Sequence, residues 1–371
     1  MSVESQAAVD YKSEFEVPKV YQEDYEGISS DLDFTQDDSA LPVQLKCLVT
    51  SGGYFVKNPY EYQYRYSRNW LWLQDDYYID WSKWKVDYIS QGHERCMIPV
   101  IHSKRDTRRW MLCAHGWGQI FGSKYKTDDK SEKMRRCLDS LAESLEFGIC
   151  YFNYGNTIYP TWPEVVRRHF AVLKYLKTHL NAKEVIVYGC SFGCGVQERG
   201  LKEAWQYLKE EVKLAIWDRG FADLEDFCKQ RGTVGFFDKL WEKILLNNWK
   251  MTVLAALDLP IPHIVVASAN VRQTQFMQHV TEEQYADKSI PYSVSLVKGV
   301  QDSDLKAKII GIPEGHSDVL GDQSIAFLAQ AIQQSLQEIS DEPYSQLVET
   351  QLCSASTVAE LTHRRRSGEG H

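Results

Sequence analysis

From about residue 95, short apolar runs alternate with longer segments whose apolar residues recur at helical spacing. The short runs are continuously apolar, which is typical of strands buried on both faces of a sheet. The predicted strands are MLCA (111–114), FGICYF (147–152), EVIVYG (184–189), LAIW (214–217), HIVVA (263–267) and AKIIGI (307–312). This alternation predicts an α/β fold with a mostly parallel central sheet and helices on both faces.

Three of the intervening segments have one apolar face at the period of an α-helix, so we predict a helix in each. Their apolar positions are Met134, Cys137, Leu138, Leu141 and Leu145; Val165, Val172, Leu173, Leu176 and Leu180; and Ile325, Leu328, Ile332, Leu336 and Ile339.

The composition changes along the chain predict one domain with two tails. Residues 1–45 are acidic and poor in aliphatic side chains, and residues 341–371 are polar, so both segments are expected to be disordered. Residues 46–340 then form the domain. Within it, 218–260 interrupts the strand–helix rhythm with a long apolar helical segment, which we interpret as an inserted cap. The aromatic residues of 54–90 favour an N-terminal extension of packed strands over a sugar- or acyl-binding face.

The net charge of −9 lies entirely in the N-terminal segment, because residues 1–40 contain eleven acids and two bases. The rest of the chain is formally neutral and lacks the basic field that nucleic-acid binding requires. We therefore expect no nucleic-acid partner. The acidic tail is instead a candidate contact for a protein partner.

The nine cysteines form no CxxC pair and have scattered spacings, which argues against a disulfide framework or a structural zinc site. Free thiols are typical of a reducing compartment, so we expect a cytoplasmic protein. The first residues lack the apolar core of a secretory signal, and no apolar run is long enough for an integral membrane segment. The sequence contains no HExxH, P-loop or GxGxxG motif. We therefore expect the protein to bind no metal and no cofactor.

The pentapeptide GCSFG (189–193) follows a predicted strand and opens a helix, which is the context of a nucleophile elbow. The sharp turn between strand and helix would present the hydroxyl of Ser191 above the edge of the sheet, and the flanking glycines would make that turn sterically accessible. The backbone N–H of Phe192 would then point to where an oxyanion forms.

A second motif, HGWG, follows the strand at 111–114, and with it the sequence resembles the α/β-hydrolase superfamily, in its branch of serine esterases, thioesterases and serine-aminopeptidase-like proteins. The resemblance covers roughly residues 95–335. The matching pieces, in chain order, are HGWG (115–118), FNYGN (152–156), GCSFG (189–193), WDRGFADL (217–224) and GIPEGHSD (311–318). It implies the α/β-hydrolase fold, and it implies that the N–H of Trp117 is the second oxyanion donor.

The resemblance also implies a base and an acid for Ser191. His316 lies between the last predicted strand and the last helix, where the family places its general base. The family's usual acid position, around Asn270, contains no carboxylate. We favour Asp218, which ends the LAIW strand, as the acid; Asn270 acting without charge is the second candidate. A later acid is the third, and the later acids are Asp287, Asp302 and Asp304.

The sequence therefore predicts a serine hydrolase, similar to carboxylesterases and thioesterases, with Ser191, His316 and Asp218 as its catalytic triad and Trp117 and Phe192 as its oxyanion hole. The expected substrate is a small-molecule or acylated ester or thioester. Apolar residues in the predicted cap favour an apolar acyl or aromatic group. The alternative is a hydrolase-fold binding or scaffold protein that has lost turnover together with its acid.

Overall fold

A computed structural model of the chain describes residues 20–22, 82–90, 97–116, 129–152, 162–230, 251–303 and 305–341. The strands among these residues are β1 (Val20–Gln22), β2 (Trp84–Ser90), β3 (Met97–Ser103), β4 (Arg109–Ala114), β5 (Gly148–Phe152), β6 (Glu184–Cys190), β7 (Val212–Asp218), β8 (His263–Ser268), β9 (Gln275–Met277) and β10 (Lys308–Ile312). The helices are α1 (Asp129–Ser144), α2 (Trp162–Thr178), α3 (Phe192–Leu208), α4 (Leu224–Gln230), α5 (Leu296–Asp302) and α6 (Asp322–Asp341).

All ten strands belong to one sheet, in the order β1-β2-β3-β5-β4-β6-β7-β8-β10-β9. The strands from β5 to β10 in this order pair in parallel, whereas β3 and β9 pair antiparallel with their neighbours. The six strands predicted from the apolar runs are β4 to β8 and β10, and the three predicted helices are α1, α2 and α6. The predicted α/β-hydrolase fold is thereby confirmed.

The order of the strands determines where a site can form. The chain runs outward from β4 to β5 and then returns to place β6 on the other side of β4. The carboxyl ends of β4 and β6 therefore meet at a topological switch point, where open α/β sheets bind their ligands.

Both faces of the central strands β4 to β8 and β10 are buried, which explains the continuous apolar runs in the sequence. In β4, the side chains of Met111 and Cys113 pack with those of α1 and α6, while Leu112 packs on the opposite face with α2 and α3. All three are inaccessible to solvent. Burying one side chain of this size contributes about 1.5–3 kcal/mol, so the two apolar layers fix the position of every strand end.

The first strands of the sheet lie in segments for which the sequence predicted a tail or an aromatic extension but no individual strand. Strand β1 lies within residues 1–45, predicted as a tail, and pairs in parallel with β2. The indole of Trp84 on β2 is buried, with its centroid 5.4 Å from the ring of Tyr151, an aromatic contact of the expected kind. Residues 54–81, the other tail residues and 231–250 of the predicted cap lie outside the described residues.

Candidate active site

Ser191 stands in the turn between the end of β6 and the beginning of α3. Its backbone has φ 52° and ψ −115°, a conformation that non-glycine residues rarely adopt. Its N–H donates to the carbonyl oxygen of Asp218, at the end of the neighbouring β7, over 2.8 Å. Surrounding structure thus holds the strained turn expected of a nucleophile elbow.

The two glycines of the pentapeptide are needed because the backbone approaches other backbone closely. A Cβ atom on Gly193 would lie 2.3 Å from the carbonyl oxygen of Ala114, at the end of β4. A Cβ atom on Gly189 would lie 2.8 Å from the Cα of Cys194. Any side chain at either position would push α3 away from the sheet and move the serine between them.

His316 brings an imidazole to Ser191 from the loop after β10. Its Nε2 lies 2.9 Å from the Oγ of Ser191, and its Nδ1 lies 2.7 Å from the Oδ2 of Asp287. The imidazole is partly exposed, whereas the carboxylate of Asp287 is fully buried. With Nδ1 protonated and bonded to the carboxylate, Nε2 is free to accept the hydroxyl proton of Ser191.

The carboxylate of Asp287 is held by backbone N–H groups two and three residues further along the chain. Its Oδ1 accepts hydrogen bonds from the N–H groups of Ser289 and Ile290, at 2.8 and 3.1 Å, which leaves Oδ2 directed to His316. The chain reaches this position by an excursion over 269–286, which contains β9. The N–H of Ala286 then bonds to the carbonyl oxygen of Ser268, and Asp287 is returned to the carboxyl end of β8.

The structure does not bring the predicted acid, Asp218, to His316; the carboxylate that contacts His316 is that of Asp287. Asp218 is fully buried, and its two oxygens accept hydrogen bonds from the guanidinium of Arg219 and the hydroxyl of Tyr188. It therefore has the ion-pair role that a carboxylate next to an arginine suggests.

Two of the other candidates for the acid, Asn270 and Asp302, do not contact His316 in this structure. The side-chain amide of Asn270 donates to the carbonyl oxygen of Glu283 and is exposed. Asp302 is also exposed and pairs with Lys298 on α5. Asp304 lies outside the described residues. Asp287 was one of the later acids, and its local signal was the segment DKSIP, since an aspartate that accepts hydrogen bonds from the next residues is common in turns.

Of the two residues expected to supply oxyanion donors, Phe192 is among the described residues. Phe192 is the first residue of α3, and its amide therefore lies in the first turn of the helix, where the helix dipole favours negative charge. Trp117 lies outside the described residues, although His115 and Gly116 follow β4 at the same edge of the sheet.

His115 is buried beside this edge. Its Nδ1 lies 2.8 Å from the carbonyl oxygen of Gly116. Burial lowers the pKa of His115 to about 4, although the hydrogen bond to Gly116 acts in the opposite direction. The ring is therefore neutral near pH 7, which fits a residue that supports its loop.

No group of three or more side chains suited to a metal ion occurs among the described residues. In the same part of the chain, no helix combines the length and apolar character that crossing a membrane would require.

Comparison with solved structures finds hydrolases with similar folds. An esterase from Pyrococcus furiosus has a TM-score of 0.49 and 14% identity, and the match covers 68% of this chain and 92% of that chain. An alpha-beta hydrolase from Vibrio vulnificus has a TM-score of 0.49 and 12% identity, and the match covers 86% of this chain and 96% of that chain. Carboxyl esterase 2 from Tuber melanosporum has a TM-score of 0.48 and 13% identity, and the match covers 68% of this chain and 87% of that chain. These similarities do not identify the reaction of this chain.

No curated protein matches the chain at a significant level. A family model does match it, over residues 97–337, which include β3 to β10 and the serine, histidine and aspartate described above. The match covers well over half of the chain. The described residues have the predicted α/β-hydrolase fold, and by this match the protein belongs to the family described as Chlamydia CHLPS protein (DUF818).

Proposed function

We propose that this protein is a serine hydrolase that transfers an acyl group from an ester or thioester to Ser191 and then to water. The observation that supports the proposal is the chain of hydrogen bonds from Ser191 through His316 to Asp287, at 2.9 and 2.7 Å. A serine hydroxyl is a weak nucleophile on its own, and a base within hydrogen-bond distance activates it.

Each residue has a defined role in this mechanism. His316 Nε2 takes the proton of Ser191 as Oγ attacks the acyl carbon, and then gives that proton to the leaving alcohol or thiol. Asp287 keeps the proton on Nδ1 and stabilises the imidazolium that forms. The N–H groups of Phe192 and, by family resemblance, Trp117 hold the oxyanion. His316 next activates a water molecule, which releases the acid and regenerates the serine.

The substrate class follows from less specific features. The apolar residues of the predicted cap favour an apolar acyl or aromatic group, and the acidic N-terminal segment is a candidate contact for a protein partner. Five buried cysteines of the described residues are free thiols, which fits the cytoplasmic location expected from the sequence.

The test is hydrolysis of p-nitrophenyl esters and acyl thioesters of increasing chain length by purified protein. We expect turnover by the wild type, and a kcat at least about 10³-fold lower in Ser191→Ala. Ser140→Ala is the matched control, because Ser140 is an exposed serine on α1 whose hydroxyl bonds only to its own helix. Equal turnover in Ser191→Ala and Ser140→Ala contradicts the proposal.

The alternative of a scaffold without turnover depended on a missing acid. The carboxylate of Asp287, one of the later candidate acids, lies 2.7 Å from Nδ1 of His316 and argues against that alternative. If the folded wild type hydrolyses none of these substrates, a scaffold without turnover is the better-supported function.

A further inference from the structure

The dipeptide Asp218–Arg219 lies beside the site, and the mechanism above gives it no task. The guanidinium of Arg219 is fully buried and forms a two-pronged ion pair with Asp218, through Nε to Oδ1 at 2.8 Å and Nη2 to Oδ2 at 2.9 Å. The hydroxyl of Tyr188 donates to the same carboxylate at 2.7 Å. The pair is therefore held rigidly against β6 and β7.

The remaining nitrogen of the guanidinium, Nη1, contacts the loop that carries His316. Nη1 of Arg219 donates to the carbonyl oxygens of Gly315, at 2.5 Å, and Asp318, at 2.8 Å. These carbonyls lie on either side of His316 in the sequence. The N–H of Gly315 also donates to the carboxylate of Asp318 at 3.0 Å, so the loop is closed around the histidine.

The backbone of the same dipeptide contacts the nucleophile. The carbonyl oxygen of Asp218 accepts the N–H of Ser191 at 2.8 Å. Arg219 has φ 50°, an uncommon value for a residue with a side chain, and its N–H bonds to the carbonyl oxygen of Val266 on β8. Two adjacent residues thus connect the turn of Ser191 with the loop of His316.

We propose that the Asp218–Arg219 pair is a positioning device that holds the His316 loop, so that Nε2 stays within hydrogen-bond distance of the hydroxyl of Ser191. This role rests on the proposed function, since it concerns the distance between the proposed nucleophile and base. Arg219 is a positioning residue, because it contacts the backbone around the base and reaches neither reacting group.

The planar fork of an arginine explains why this residue type is needed. One edge of the guanidinium, with Nε and Nη2, satisfies both oxygens of Asp218 while Nη1 reaches two carbonyls. A lysine retains the positive charge that the buried Asp218 requires, but its single ammonium cannot serve the carboxylate and both carbonyls in the same geometry. We therefore expect Arg219→Lys to fold and Arg219→Gln to be the more severe change.

The test compares Arg219→Lys and Arg219→Gln with a matched arginine at the opposite edge of the sheet. Arg109 forms the same kind of fork with Glu184 and donates to the carbonyl oxygen of Leu145, at the amino ends of β4 and β6. Per folded molecule, we expect kcat to fall about 10-fold in Arg219→Lys and about 100-fold in Arg219→Gln, with KM within about twofold. Arg109→Lys and Arg109→Gln should keep the wild-type kcat.

A second readout does not depend on turnover. The Nδ1 proton of His316, bonded to Asp287, should give a low-field proton NMR resonance that is absent in Asp287→Asn. We expect this resonance in the wild type and in Arg109→Gln, and its broadening or loss in the Arg219 variants. If wild type shows the resonance but no turnover, the proposed function fails while the positioning role is still tested.

Three outcomes overturn the positioning role. The first is a folded Arg219→Gln that keeps both the wild-type kcat and the resonance. The second is an effect on KM alone. The third is failure of both Arg219 variants to fold, because the pair is then an element of stability rather than of alignment.

Discussion

The described residues contain two histidine–aspartate pairs, and their surroundings differ in one decisive respect. His316 bonds to Asp287 through Nδ1 and presents Nε2 to the hydroxyl of Ser191. His102 bonds to Asp87 through Nε2, at 3.2 Å, and its Nδ1 lies 3.0 Å from the backbone carbonyl oxygen of Ser103. The first pair thus has a nitrogen directed at the hydroxyl of Ser191, whereas both nitrogens of the second face acceptors inside the protein.

The two carboxylates are equally buried but have different partners. Asp287 receives two backbone N–H groups and one histidine. Asp87, on β2, receives the hydroxyl of Tyr175 at 2.5 Å, together with contacts from His102 and Lys85. The comparison teaches that a histidine–carboxylate contact is not a catalytic signature by itself. The direction of the other ring nitrogen distinguishes a general base from a structural ion pair.

The largest expected effect is on the first pair. Replacing Asp287 by asparagine keeps the shape of the side chain but removes the acceptor that holds a proton on His316 Nδ1. We expect kcat to fall about 10⁴-fold with the fold retained, as the loss of the correct tautomer does in related triads. Steady-state hydrolysis of a p-nitrophenyl ester measures it. A kcat within tenfold of wild type would assign the acid elsewhere.

The same kind of change in the second pair should affect stability instead. Asp87→Ala leaves His102 and Lys85 without their buried counter-charge, and we expect the free energy of unfolding to fall by about 3 kcal/mol. The kcat of the folded fraction should be unchanged. Urea unfolding followed by circular dichroism measures the loss, and a fall in kcat as large as that of Asp287→Asn would contradict the distinction between the pairs.

The sequence predicted the pair of His316 and Asp287 only in part, and it did not predict the pair of His102 and Asp87. Ser191 was predicted because its motif directly follows a buried strand, and His316 because the family resemblance places the base after the last strand. The continuous apolar runs identified both strands. Asp287 was only one of several candidates, because the excursion over 269–286 separates it from β8. Asp87 gave no signal, since two of its partners, His102 and Tyr175, come from β3 and α2, and no local pattern relates them to it.

The acid dependence of stability gives a third, smaller effect. Burial alone would raise the pKa of Asp87, but hydrogen bonds from His102 and Tyr175 and the charges of His102 and Lys85 outweigh it and lower the pKa to about 2. A carboxylate with a lowered folded pKa stabilises the fold above its unfolded pKa, and this contribution disappears as the pH falls from about 4 to 2. We expect a loss of about 2 kcal/mol over this range. Unfolding titrations of Asp87→Asn should lack this component of the pH dependence, and identical pH curves for the two proteins would refute it.

The smallest effect concerns a single hydroxyl. Tyr175→Phe removes one of the hydrogen bonds to the Asp87 carboxylate while the ring stays packed in α2. We expect a destabilisation of about 1–2 kcal/mol and no change in kcat. Thermal unfolding measures the change, with Tyr207→Phe, an exposed tyrosine on α3, as the control. Equal stability of the two variants would show that this hydroxyl contributes nothing to the core pair.

Covalent labelling with a fluorophosphonate probe tests whether His316 and Asp287 activate Ser191. Mass spectrometry of the labelled, digested protein should find one adduct, on the peptide that contains Ser191, and Asp287→Asn should label at least about 100-fold more slowly. A folded wild type that remains unlabelled, or that labels as fast without the Asp287 carboxylate as with it, would contradict the account.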